Sequence, residues 1–191
     1  MTVAYQGEPG AYSEAAVHER FGPDAQAVSH TSFWLAVRAI LDGEADGAVI
    51  PVRNSKTGSV WAGAEAVAEG RRAGLWSRGE VTLVIRHSLL ALPGVGLAGL
   101  ARVRSHPEAL RQCSAWLAAN LPHAVAQPGP EGAPDTAGAA REIAEQGWRD
   151  AAAIAHASAA ARYGLVALAS GIQDADDNAT TFAVLSREGT G

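Results

Sequence analysis

Short apolar runs of strand character alternate with helical patterns along this chain, and that alternation restricts the possible folds more than any other feature. VAYQ, AQAV, DGAVIP, EVTLVI, ARVRS, HAVAQ, AAAIA, LVALA and TFAVLS read as strands. SEAAVHERFG, TSFWLAVRAILDG, SVWAGAEAVAEG, HPEALRQCSAWLAAN, DTAGAAREIAEQG and ASAAARYG read as helices, most opening on Ser, Thr, Asp or His and closing on Gly or Asn. Such an order predicts an α/β architecture with mostly parallel strands. Pro107 suits a first helical turn, where its missing N–H costs nothing, and Ser13 is placed to cap the first helix.

Two stretches interrupt the alternation: GEVTLVIRHSLLALPGVG, and the polar QDADDN before the last strand. A chain that leaves one lobe near residue 80 and returns near residue 177 forms lobe 1 from about 1–80 plus 177–191, and lobe 2 from about 81–176. Two crossings of that kind predict a ligand cleft between the lobes. PGPEGAP, from Pro128 to Pro134, reads as a surface loop.

Composition narrows the function. An apolar fraction of 48% supports a sizeable core, and a formal charge of −5 with scattered basic residues disfavours a phosphate-tracking surface for nucleic acid. TVAYQG at the start lacks a basic-then-apolar leader pattern, and no apolar run approaches membrane-spanning length; the expectation is a cytoplasmic protein with no membrane partner. The single cysteine, Cys113, lies in a helical pattern and reads as a core thiol. The six histidines lack metal-ligand spacing, so no metal is expected. Gly94 to Gly99 fits GxGxxG but opens no long helix, so it reads as a loop.

Polar clusters remain where strands run into helices: Gly7 to Ser13, including Gly10 and Ala11; Arg53, Asn54 and Ser55; Ser105, His106 and Glu108; Asp135 and Thr136; and Asn178 to Phe182, including Thr180 and Thr181. Taken singly, each is an ordinary helix cap. Taken together they line the carboxyl ends of strands, where helix N-termini offer N–H groups to anions; a small carboxylate is the inferred ligand.

YQGEPGAYSEAA, PVRNSKTGSV, SHPEALRQC, DTAGAA, AAIA, YGL and GIQDADDNATTF resemble, in order and spacing, the successive motifs of prephenate and arogenate dehydratases. The resemblance implies a two-lobed fold like that of bilobal solute-binding proteins, with prephenate in the interlobe cleft. It implies dehydration and decarboxylation of prephenate to phenylpyruvate in phenylalanine biosynthesis, with no metal or organic cofactor. Thr180 matches the threonine of the family's Thr-Arg-Phe motif, which donates to the leaving hydroxyl. Asn54 and Gln112 match polar residues that contact substrate or orient its neighbours. Arg53, Ser55, Gly10, Ala11, Ser105, His106, Glu108, Thr136, Thr181 and Phe182 complete the expected substrate-binding set.

This chain departs from the family pattern at three positions. Thr181 stands where the motif has arginine, Arg53 where the loop has glutamate, and Glu108 where glutamine is usual. A threonine cannot replace a guanidinium's grip on a carboxylate. Arg53 therefore supplies the cation instead, or the chain is a non-aromatising prephenate decarboxylase or a non-catalytic small-carboxylate binder. The usual family member continues into a regulatory ACT domain, and the expectation here is the catalytic domain alone. Family members are commonly dimers or tetramers; the five tryptophans and Ala-rich helices predict a homodimer or tetramer here as well.

Overall fold

A computed structural model describes residues 1–130 and 135–187. The chain forms two compact units. The first comprises Met1–Gly7, Tyr12–Ile85 and the described residues from Asp177 on; the second comprises Glu8–Ala11 and the described residues of Arg86–Asp176.

In the first unit, β1 (Thr2–Gln6), β2 (Gln26–His30), β3 (Gly47–Asn54), β4 (Gly58–Ser59), β5 (Trp76–Val84) and β11 (Ala179–Ser186) form one sheet of order β2-β1-β3-β11-β5, with β4 paired to β3. Helix α1 (Tyr12–Phe21) covers one face, where Ala16 and Val17 meet Val3, Tyr5, Val49, Phe182 and Val184. Helices α2 (Phe33–Leu41) and α3 (Trp61–Arg72) cover the other, bringing Val37, Ile40 and Ala66 onto Ala4, Ala48, Ile50 and Leu185. The apolar spacing Phe33, Ala36, Val37, Ile40 is that of one helical face, and Ser32 opens α2 by accepting from Leu35 N at 3.2 Å. Ser13 lies inside α1 and is buried, so the expected cap there is not made.

The second unit is built on β6 (Ser88–Ala91), β7 (Arg102–Ser105), β8 (Val125–Pro128), β9 (Ala151–Ala155) and β10 (Val166–Ser170), in the order β10-β6-β9-β7-β8. Helices α4 (Pro107–Gln112), α5 (Ser114–Asn120), α6 (Ala137–Gln146) and α7 (Ser158–Tyr163) accompany it. Central β9 is fully buried and mostly alanine; its small side chains let α6 pack close, with Ala139, Ala140 and Ile143 against Ala151 and Ala153. α6 and α7 end on Gly147 and Gly164, whose φ values of 64° and 66° only glycine adopts without cost.

The α/β expectation holds, but the sheets are mixed rather than mostly parallel. β1 is parallel to β2 and β3, whereas β11 is antiparallel to β3 and β5. In the second sheet β7 is parallel to β8 and β9, whereas β6 is antiparallel to β9 and β10. Alternation reports element order and not strand direction. β6 itself and the two-residue β4 were not anticipated. The helix expected over 106–120 is broken at Cys113, because Asp174 enters it: Gln112 O accepts from Asp174 N at 2.7 Å, and the Asp174 carboxylate takes the N–H of Ala115. Gly94 to Gly99 is a loop with one 3-10 turn, as read. Of the loop expected over Pro128–Pro134, Pro128 ends β8, and residues 131–134 lie outside the described residues.

Candidate active site

In the first unit, the end of β3 runs antiparallel to the start of β11, with Asn54 opposite Thr180 and Arg53 opposite Thr181. Asn54 holds this corner together. Its Oδ1 accepts from the backbone N–H groups of Lys56 (2.8 Å) and Thr57 (3.0 Å), which can only donate, so the amide orientation is fixed. Its Nδ2 therefore donates to Asn178 Oδ1 at 2.8 Å and to Thr180 Oγ1 at 3.0 Å. Both amide hydrogens of Asn54 are therefore used within this corner. Thr180 Oγ1 accepts from Asn54, and among the described residues its own hydrogen goes to no acceptor. The arrangement leaves Thr180 poised as a donor.

Ser55 closes the corner from the loop side, donating to Asp177 O and accepting from Ala179 N, each at 2.9 Å. Lys56 pairs with Asp177 and holds that carboxyl below its usual range. Ser55 is thus committed to the backbone of 177–179.

Neighbouring residues in a strand point to opposite faces. Thr180 and Asn54 share one face; Thr181 and Arg53 share the other, where Thr181 is buried and shares a hydrogen bond with Thr82 at 3.2 Å. Phe182, expected to contact substrate, is 2% exposed and packs in the core beside Tyr5. Arg53 is exposed, and among the described residues no hydrogen bond or ion pair engages its side chain.

In the second unit, Ser105 was expected to bind substrate but is fully buried, its hydroxyl donating to Ile154 O at 2.6 Å across the sheet. Gly10 (φ 88°) lies so close to α7 that an added Cβ would stand 2.9 Å from Ala159 Cα, and Ala11 is buried. These two residues serve packing: Pro9 O and Gly10 O accept from Tyr163 and Ser158, and Glu8 N donates to Asp135 at 2.6 Å. Asp135, not Thr136, caps α6, accepting from Ala137 N and Gly138 N; burial raises its carboxyl above the usual range. Thr136 is buried, and its hydroxyl has no hydrogen-bond partner among the described residues. His106 opens α4, its Nδ1 accepting from Glu108 N at 3.2 Å.

Glu108 and Gln112 do come together, and they bring in a residue not anticipated. Gln112 donates from Nε2 to Glu108 at 2.8 Å and meets His87 Nε2 through Oε1 at 3.0 Å. His87 precedes β6 as His156 follows β9, and Ser88 pairs with Ala155, so the two histidines are next in the ladder. Burial lowers both imidazole pKa values, and His87 adds to the lowering at His156. His87 was missed because its strand was missed; a histidine before the apolar run SLLA was the available signal. The thiol of Cys113 is buried in the core, as expected, and burial pushes it up to about 12. Among the described residues no group of three His, Cys, Asp or Glu is placed to hold a metal, and no helix is long and apolar enough to cross a membrane.

The profile of the family described as Prephenate dehydratase matches residues 3–190. Arogenate dehydratase/prephenate dehydratase 6, chloroplastic, from Arabidopsis thaliana is 47% identical over 98% of this chain, which spans only 44% of that relative's length. The crystal structure of prephenate dehydratase in complex with L-Phe from Arthrobacter aurescens superposes with a TM-score of 0.86 at 34% identity, over 99% of this chain and 61% of that one. GqqA, titled a novel type of quorum quenching acylase, gives a TM-score of 0.85 at 32% identity, over 98% of this chain and 64% of that one.

Proposed function

The chain belongs to the prephenate dehydratase family, and we propose that it eliminates water and carbon dioxide from prephenate or arogenate. The carrying observation is the hydrogen bond from Asn54 to Thr180, which leaves the threonine hydroxyl as a donor. In the proposed step the carboxylate carbon leaves as CO2, the electrons of its bond complete the aromatic ring, and the ring hydroxyl departs as hydroxide, which takes a proton from solvent to become water. Thr180 donates to that oxygen as negative charge grows on it. Thr136 stays in this reading as a substrate contact, because its hydroxyl, beside the start of α6, has no hydrogen-bond partner among the described residues. The buried thiol of Cys113 offers no nucleophile for acyl transfer. Incubation with prephenate, and separately with arogenate, tests the proposal by ultraviolet spectrum. An aromatic product supports it; a non-aromatic dihydro product identifies a decarboxylase, and an unchanged spectrum a binder. The cytoplasm is the location assigned in this reading.

Arg53 is assigned the carboxylate-binding role in place of an arginine at position 181. The support is register: positions 53 and 181 are direct cross-strand partners on one face, so a cation carried by either strand starts from the same place on the sheet. Arg53→Glu is expected to raise KM for the accepted substrate about thirtyfold or more, the low end of losing a charge partner. Adding Thr181→Arg should restore most of it. A double-mutant cycle read in KM checks this, and strictly additive effects overturn it.

We also assign self-association to the outer side of α2 and α3. Trp34, Leu35 and Leu41 on α2 and Trp61 on α3 are exposed, Trp61 at 80%, so these tryptophans do not fill the core. Along α3 the exposed order is Trp61, Glu65, Glu69, then Arg71 and Arg72, an acidic stretch followed by a basic end. Two antiparallel copies of that helix place each basic end against the other's aromatic and acidic part, a self-complementary match. Light scattering should give a dimer mass, and Arg72→Glu should reduce it to a monomer. Glu65→Arg added to Arg72→Glu should restore the dimer. A monomeric wild type overturns the assignment.

A further inference from the structure

Arg111, Glu108, Gln112 and His87 form a single line of hydrogen bonds whose polarity is fixed at every link. The Arg111 guanidinium donates twice to Glu108, from Nε at 2.9 Å and from a terminal nitrogen at 2.5 Å. That pairing keeps the carboxyl ionised, with its pKa below the usual range. A carboxylate only accepts, so the Gln112 atom 2.8 Å from it is the NH2 group. The other end of the amide, facing His87 Nε2 at 3.0 Å, is then the carbonyl oxygen. A carbonyl also only accepts. His87 must therefore carry its hydrogen on Nε2.

Burial strengthens the constraint. His87 is 2% exposed and burial disfavours its second proton, so the imidazole is neutral and its tautomer is the remaining variable. His156, its neighbour in the ladder, is held neutral by the same cause, burial first and His87 second. Gln112 cannot turn its amide round without setting a carbonyl against the Glu108 carboxylate, and Glu108 is anchored through its own N–H to His106.

We propose that Glu108 is a positioning residue for the dehydratase reaction: through Gln112 it holds His87 as the Nε2–H tautomer, and turnover depends on that tautomer. The proposal rests on the functional reading above and deepens it, since neither Glu108 nor Gln112 then serves as a substrate contact. A glutamine at position 108 would remove the constraint while keeping shape. It presents both a carbonyl and an NH2, so Gln112 can point either end at His87 and no longer imposes the Nε2–H tautomer.

The test is Glu108→Gln, read in two ways on the whole chain. Imidazole 15N spectra of the wild type should show His87 with a pyrrole-like Nε2 and a pyridine-like Nδ1, and Glu108→Gln should give a mixture. In the same variant kcat should fall about tenfold, less than a directly misplaced reacting group costs, with KM nearly unchanged. A wild-type His87 protonated on Nδ1, or a single unchanged tautomer in Glu108→Gln, overturns the positioning role. A tautomer mixture with unchanged kcat overturns its link to turnover. Absence of dehydratase activity in the wild type would instead defeat the functional reading while the spectra still decide whether Glu108 sets the tautomer.

Discussion

Thr180→Ala is expected to lower kcat about 100-fold, roughly 2.7 kcal/mol of barrier, which is the cost of losing one transition-state donor in a preorganised site. The size follows from what the neighbours do. Asn54 spends one amide hydrogen on Thr180 Oγ1 and the other on Asn178, and its carbonyl is fixed by two backbone N–H groups. The threonine oxygen is therefore held in place before substrate arrives. Removing the hydroxyl leaves the β11 ladder intact, because register there is set by backbone bonds to β3 and β5. Folding should be retained. Thr180→Ser keeps the donor and should keep most of the activity. Steady-state turnover on the accepted substrate is the measurement, and a near-normal kcat in Thr180→Ala would falsify the donor role.

Much of this corner was legible in the sequence, for a physical reason. Asn54, Asn178 and Thr180 lie at strand ends, where polar side chains satisfy backbone groups that the ladder leaves unpaired, so a polar cluster beside an apolar run marks the place. Facing was not legible. Thr180 and Thr181 look equivalent as letters, yet the pleat sends one to Asn54 and the other to Thr82. Ser105 and Phe182 sit among motif residues, but one hydroxyl bridges to Ile154 and the ring enters the core. Such distinctions depend on which strand lies alongside, and one sequence does not state that. The break at Cys113 is of the same kind: local pattern favours a continuous helix, and Asp174, 61 positions on by the numbering, interrupts it. His87 was hidden because β6 has only four residues, too few to display a period.

Gly63→Ala should destabilise the chain by about 3 kcal/mol or more, the upper range of overpacking in a close-packed interior. The sign is not obvious in advance, since alanine in a helix interior is favoured over glycine by about 1 kcal/mol. Geometry decides it. A Cβ built on Gly63 in α3 would stand 1.9 Å from Pro51 O and 3.1 Å from Pro51 C. Both are backbone atoms of β3, so no side chain can swing aside. Either α3 lifts from the sheet or β3 bends, and β3 is the strand that ends in Arg53 and Asn54. For a chain of this size the loss corresponds to a midpoint lowered by roughly 10 °C. The comparison is Gly96→Ala, where nothing lies within 4 Å of the added Cβ and stability should change by no more than about 0.5 kcal/mol. Urea melts of the two variants against the wild type measure the difference. If Gly63→Ala melts with the wild type, α3 does not rest on Pro51, and the support given to the Arg53–Asn54 corner must come from its strand partners β11 and β4.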